Sequence, residues 1–178
     1  GTWYQLKEMR EFFSTVRSED PGAQWLIVTG RPDPRLAKEL EGLDPSAYQV
    51  QMLPHEMVPD ALRTAAASLC FISPVSSKLA CCPTKIGESL ACGVPVVISE
   101  GVGDCDRLIE RERVGVVVRP GSSEAYRAGV VALRGLLAEG PAVAERCRRV
   151  AAEYFDLEQG VTKYLDLYRQ LVCPGVAG

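Results

Sequence analysis

The stretch CCPTKIGESLACGVPVV, Cys81 to Val97, concentrates side chains and backbone groups that could do chemistry. Its pattern predicts a short helix with Pro83 at the start and Gly93 just past the end, leading into a buried strand. Proline costs nothing at a helix start and holds the first turn rigid. The N–H groups of Thr84 and Lys85 then point out of the helix end, where the helix dipole favours an anion. Thr84 and Glu88 are four apart and share a face, so Glu88 lies just behind that mouth, three residues after Lys85. A carboxylate gains nothing from a phosphate. It suits a nucleotide, whose ribose hydroxyls can donate two charge-assisted hydrogen bonds worth about 1.5–3 kcal/mol each. The same spacing fits a surface ion pair between Lys85 and Glu88 worth about 0.2–0.5 kcal/mol. Spacing alone leaves both readings open.

The elements that must position these residues alternate. Trp3, Leu6, Met9, Phe13 and Val16 recur at helical spacing and predict an amphipathic helix over 3–17. Residues 24–30 (QWLIVTG) read as a buried strand, and DPRLAKELEGL as a helix capped by Asp33, with Pro34 first and Gly42 near its end. Residues 48–53, 68–73, 94–99 and 114–118 read as further strands. Short helices around Pro59, from Pro83 and after Gly103 separate them. Three helices close the chain, over 123–138, 141–154 and from a capping box at Asp156–Gln159. The last carries Val161, Tyr164, Leu165, Tyr168 and Leu171 on one face. Five strands apolar on both faces, alternating with helices, predict an α/β domain: a Rossmann-like, doubly wound parallel sheet covered on each side, followed by C-terminal helices. The chain starts on a helix, so such a domain calls for one more strand before residue 1. Ligands in these sheets bind at the carboxyl ends of the strands.

Other candidates lie at that edge. Arg31, in GRPD after the first strand, is placed to approach a base or phosphates, or is simply solvated. Gly101 and Gly103, in GVGD, permit positive φ and could present a nest of N–H groups to a sugar or phosphate, with Asp104 capping the helix that follows. No third glycine follows, so this is no dinucleotide fingerprint. Asp104 and Asp106 read as helix-start charges rather than an acid–base pair. His55 reads as a loop residue near the ligand edge, with a catalytic role the minor reading. Cys81 and Cys82 are adjacent just before the binding turn; packing or chance is preferred there to a vicinal disulfide.

Composition excludes several classes. The net charge is −3 with no basic stripe, which argues against nucleic acid and leaves any anion to local groups. The cysteines are Cys70, Cys81, Cys82, Cys92, Cys105, Cys147 and Cys173, with no C-x-x-C and a single histidine, so no metal site is expected. An odd number of thiols in apolar runs reads as a reducing, cytoplasmic compartment. No apolar run approaches the roughly 20 residues of a membrane span, and no transmembrane segment or signal peptide is expected.

The segment CPTKIGESLACGVPVVIS resembles the donor-binding signature of GT-B glycosyltransferases, in particular the family-four group, whose pattern is S-P-x-K-x-x-E-x-L-A-x-G-x-P-V-V. Pro83, Lys85, Glu88, Leu90, Ala91, Gly93, Pro95, Val96 and Val97 match it position by position. The early GTWYQLKEM, the GVGDCDRLI turn and the closing YLDLYRQL resemble the C-terminal half of those enzymes more loosely. The resemblance implies one nucleotide-sugar-binding domain over 1–178, part of a two-domain enzyme whose first strand and N-terminal acceptor domain lie outside this chain. It implies hexosyl transfer from a UDP- or GDP-linked sugar to an acceptor hydroxyl, in glycan, polysaccharide or glycolipid synthesis, without a cofactor. It also implies that Glu88 holds the ribose, that the helix start with Lys85 holds the diphosphate, and that Thr2, in the turn before the first helix, faces that diphosphate. The acceptor, a glycan or lipid, would bind through the N-terminal domain, and the full-length protein could lie at a membrane periphery. Many members carry a second glutamate eight residues before the first, where this chain has Ala80, so a mechanism drawn from two glutamates is in question. A nucleotide-sugar epimerase of the same fold and a non-catalytic nucleotide-binding module are the alternatives.

Overall fold

The computed structural model describes residues 3–31, 34–78 and 80–172; the expectations for Thr2, Asp33 and Cys173 lie outside the described residues. Helix α1 spans Leu6–Glu19, α2 Pro34–Leu40, α3 Val58–Arg63 and α4 Thr84–Ala91. Helices α5 (Cys105–Glu112), α6 (Ser123–Leu137), α7 (Pro141–Tyr154) and α8 (Leu157–Val172) follow. The strands are β1 (Trp25–Thr29), β2 (Tyr48–Met52), β3 (Ser68–Cys70), β4 (Val96–Ser99) and β5 (Gly115–Val118). Every strand pair is parallel, as apolar runs separated by helices require.

The alternation of side chains along the strands explains the two cores. Val97, Val116 and Val118 point to one face of the β3–β4–β5 sheet, where they meet Met9 and Phe12 of α1 and Tyr126, Val130 and Leu133 of α6. Val96 and Ile98 point to the other, against Ile86 and Leu90 of α4, Ile109 of α5 and Val143, Cys147 and Val150 of α7. Strand β4 is buried throughout because helices cover both its faces. The fold is the expected α/β arrangement of parallel strands between helices.

Four expectations are corrected. The strands form two ladders, β1–β2 and β3–β4–β5, instead of one sheet, and β1, β2, β3 and β5 each keep an unpaired edge among the described residues. β2 is not apolar on both faces: Gln49 and Gln51 take one face, and on the other Val50 and Met52 stay exposed. Trp3 precedes α1 and is exposed; residues 3–5 instead run across the end of β3, Gln5 N–H donating to Phe71 O at 3.1 Å and Ser73 N–H to Trp3 O at 2.9 Å. The capping box of α8 is half made. Gln159 N–H donates to Asp156 Oδ1 at 2.8 Å, but the Gln159 side chain turns to Ala152 O.

Candidate functional site

The loop after β3 delivers the chain to α4. Pro83 is the N-cap, with φ −65° and ψ 125°, one residue before the first helical position and not on it. Its carbonyl accepts from Ile86 N–H at 3.0 Å. A cap of Ser, Thr, Asp or Asn would fill the next N–H groups with its own oxygen. Proline has none, so Thr84 and Lys85 present their N–H groups outward at the positive end of the helix. Both residues are exposed, while Ile86 and Leu90 anchor the opposite face of α4 in the core.

The Lys85–Glu88 ion pair allowed by the spacing does not form. The Lys85 ammonium lies over the Tyr4 ring, 4.2 Å from its centroid. Tyr4 is held there by an antiparallel bridge to Ile72, so the N-terminal segment positions the cation. Glu88 is half-buried on α4, and its carboxylate has no ion pair or hydrogen bond among the described residues. The site thus offers two outward N–H groups, a steadied cation and an unpaired carboxylate within two turns of helix.

The 101–104 turn is the second wall. Gly101 has φ 87° and Gly103 φ 57°, both in the left-handed region. A Cβ on Gly103 would stand 2.4 Å from Cys81 O, so only glycine lets this turn press against the loop before α4. Asp104 is the N-cap of α5 by position, yet its side chain makes no capping hydrogen bond; it reaches Arg107, at 3.5 Å. The turn is held by Asp106 instead, whose Oδ2 accepts from Gly101 N–H at 2.8 Å while its buried Oδ1 has no partner. Behind it, Ser99 Oγ accepts from Ile72 N–H at 2.8 Å and donates to Ile72 O at 2.9 Å, locking the ends of β3 and β4 together. Arg119 grips Glu100 with two hydrogen bonds, 2.7 and 2.9 Å, which hold that carboxyl below its usual range and cover a negative charge beside the anion-facing edge.

Pro83, Thr84, Lys85, Glu88, Gly101 and Gly103 are therefore carried by two neighbouring segments. Arg31 is not tied to them: it is exposed after β1, its backbone closed on Thr29 Oγ1, with no hydrogen bond or ion pair to the helix start. His55 opens an exposed turn after β2, and Ala80 is exposed ahead of Cys81. Tyr4, Ser99 and Asp106 were not singled out for these positioning roles by spacing. Asp106 stood out only as a helix-start charge beside Asp104.

The thiols are not equivalent. Cys105 Sγ lies 3.8 Å from Cys82 Sγ and donates toward it, lowering the Cys82 pKa to about 7 and raising that of Cys105. Burial pushes Cys70 and Cys147 up to about 11.

Residues 5–135 match the family described as Glycosyl transferases group 1. The chain belongs to that family. Its fold is that of GT-B glycosyltransferases. AviGT4, a glycosyltransferase involved in avilamycin A biosynthesis, superposes with a TM-score of 0.72 at 20% identity, over 98% of this chain and 49% of that one. Sucrose-phosphate synthase from Thermosynechococcus elongatus superposes with a TM-score of 0.64 at 19% identity, over 97% of this chain and 44% of that one. The chain thus spans about half the length of these structures. No curated protein is significantly similar to it. No helix among the described residues is long and apolar enough to cross a membrane.

Proposed function

We propose that this chain is the nucleotide-sugar-binding half of a glycosyltransferase that moves a hexose from a nucleoside diphosphate sugar to an acceptor hydroxyl. The observation that carries the reading is the start of α4, where Pro83 caps without supplying a side-chain acceptor and Glu88 stands unpaired behind two outward N–H groups. In this reading the diphosphate sits on the Thr84 and Lys85 N–H groups. The Lys85 ammonium, steadied by Tyr4, neutralises charge that builds on the leaving diphosphate as the glycosidic bond breaks. Glu88 accepts from the ribose hydroxyls. The Gly101–Gly103 turn lies toward the β-phosphate and sugar, and Arg31 and Thr2 are reserved for the base and diphosphate. The acceptor binds on a second domain, and a strand ahead of α1 fills the gap between the unpaired edges of β1 and β3.

Calorimetry with UDP, GDP and inorganic pyrophosphate tests this. One of the two nucleotides binds saturably below millimolar concentration. Glu88→Ala weakens that nucleotide by about 1.5–3 kcal/mol and leaves pyrophosphate nearly unchanged, with circular dichroism as the folding control. Equal losses for both ligands, or no loss for either, would remove the ribose assignment. Absence of binding by both nucleotides would remove the reading itself.

A further inference from the structure

Two thiols on separate elements meet beside the candidate site. Cys82 is exposed in the loop and immediately precedes the cap of α4; Cys105 is the first residue of α5 and is buried. Their sulfurs are 3.8 Å apart, in contact, and a disulfide needs about 2.05 Å. We propose that Cys82 and Cys105 form a reversible oxidation site, whose disulfide fastens the loop entering α4 to the turn entering α5.

The two residues divide the chemistry. Cys82 is exposed and carries the more acidic thiol, so its thiolate is the attacking group. With a peroxide as oxidant, the Cys82 thiolate attacks one peroxide oxygen. An S–O bond forms, the O–O bond breaks and hydroxide leaves, taking a proton from solvent to become water. Cys105 Sγ then attacks the Cys82 sulfenic sulfur, giving up its proton as it does so. The S–S bond forms, the S–O bond breaks, and the Cys105 proton leaves with the departing hydroxyl as the second water. Two thiols lose two electrons and two protons, and one peroxide is reduced to two waters. A dithiol reductant reverses the change. Cys70 and Cys147 are buried and, unlike Cys105, make no hydrogen bond to another thiol among the described residues, so they stay outside this chemistry.

The bond would restrain the site. Cys81 O already lies against Gly103, so a bond from the neighbouring Cys82 to Cys105 would pin the loop entering α4 to the 101–104 turn and restrain the adjustment of the outward Thr84 and Lys85 N–H groups to a ligand. This consequence rests on the proposed nucleotide site; the disulfide does not.

The chain is treated with hydrogen peroxide at low molar excess, quenched by alkylation, digested and analysed by mass spectrometry, with and without later dithiothreitol. A Cys82–Cys105 linked peptide is expected that dithiothreitol removes and that is missing in Cys82→Ser and in Cys105→Ala. A Cys81–Cys82 link, a link between two chains, or over-oxidation of Cys82 without a link would overturn the proposal. In parallel, affinity for UDP and GDP is measured in reduced and oxidised protein. The nucleotide that binds the reduced form is expected to bind the oxidised form at least about tenfold more weakly, a ratio that Cys82→Ser abolishes. A link that forms while affinity stays unchanged would overturn the effect on the site. A link that forms in a protein whose reduced form binds neither nucleotide would defeat the functional reading and uphold the oxidation site.

Discussion

Cys105 keeps its proton and donates it toward Cys82, and a thiolate that accepts a hydrogen bond is stabilised over the thiol. Desolvation and the nearby Asp104 carboxylate oppose this, yet the balance leaves Cys82 at about 7, against an ordinary thiol near 9. Because the folded value is lowered, the thiolate is populated above pH ~7 and lost as the pH falls through it. Alkylation of Cys82 by iodoacetamide should therefore rise with pH to a half-maximum near 7. Removing the donor in Cys105→Ala should move that midpoint upward, toward the ordinary thiol value. Peptide-resolved mass spectrometry across pH 5–10 reads both; a Cys82 midpoint unmoved by Cys105→Ala would show that the donor is not the cause. Lys85 supplies a second residue-scale test. Its ammonium over the Tyr4 ring is a contact worth about 0.5–1 kcal/mol when exposed. Tyr4→Leu keeps the apolar bulk and removes most of that attraction, so pyrophosphate affinity should fall by no more than about that amount. A larger loss would mean that Tyr4 positions the backbone of the site as well.

At the scale of elements, the meeting of the 101–104 turn with the loop before α4 decides the site's shape. Gly103 needs positive φ and has no room for a side chain beside Cys81 O. Gly103→Ala should destabilise the chain by more than about 1 kcal/mol, read as a lower urea midpoint with an unchanged slope. It should also weaken nucleotide binding, because the turn can relieve the clash only by moving off the helix start. A neutral effect on both would mean that the loop yields freely. This contact is not encoded by any local pattern of the sequence. Helix α4, its glycine stop and strand β4 were legible because punctuation and apolar runs are local signals. The glycines of the turn were legible as backbone freedom, but not as a close approach, since that depends on which loop packs against them. Lys85 and Glu88 were visible as residues and ambiguous as a pair; the ring of Tyr4, about 80 positions away in sequence, broke the ambiguity in a way no helical spacing encodes. The split into two ladders and the exposure of β2 were hidden for the same reason. Strand patterns report which faces are apolar, and leave unstated which edges find a neighbour.

At the scale of the whole molecule, two of the uncovered surfaces carry predictions. Helix α8 buries no residue, and Leu157, Tyr164, Tyr168 and Leu171 are each more than 60% exposed. A helix with so little packing contributes little to the global stability, so deleting residues 157–178 should shift the melting temperature by less than about 2 °C. A larger drop in a calorimetric scan would show that α8 is packed in solution. The other surface is the candidate site itself, an open edge made by the start of α4 and the 101–104 turn. The proposed sugar transfer needs the reacting carbon shielded from water, and one wall cannot exclude it. The isolated chain should accordingly show no transfer, and a polypeptide that joins it to the proposed second domain should restore it. The same geometry sets the donor's affinity. Ala80 offers the sugar no carboxylate, and in the 101–104 turn Gly101 N–H is already taken by Asp106 Oδ2. The nucleoside diphosphate sugar and the free nucleoside diphosphate should then bind this chain within about 1 kcal/mol of each other, since the sugar gains few partners and the diphosphate keeps its own. Parallel calorimetric titrations settle the point. A donor bound about a hundredfold more tightly than its diphosphate would mean that this chain alone already closes a pocket around the sugar.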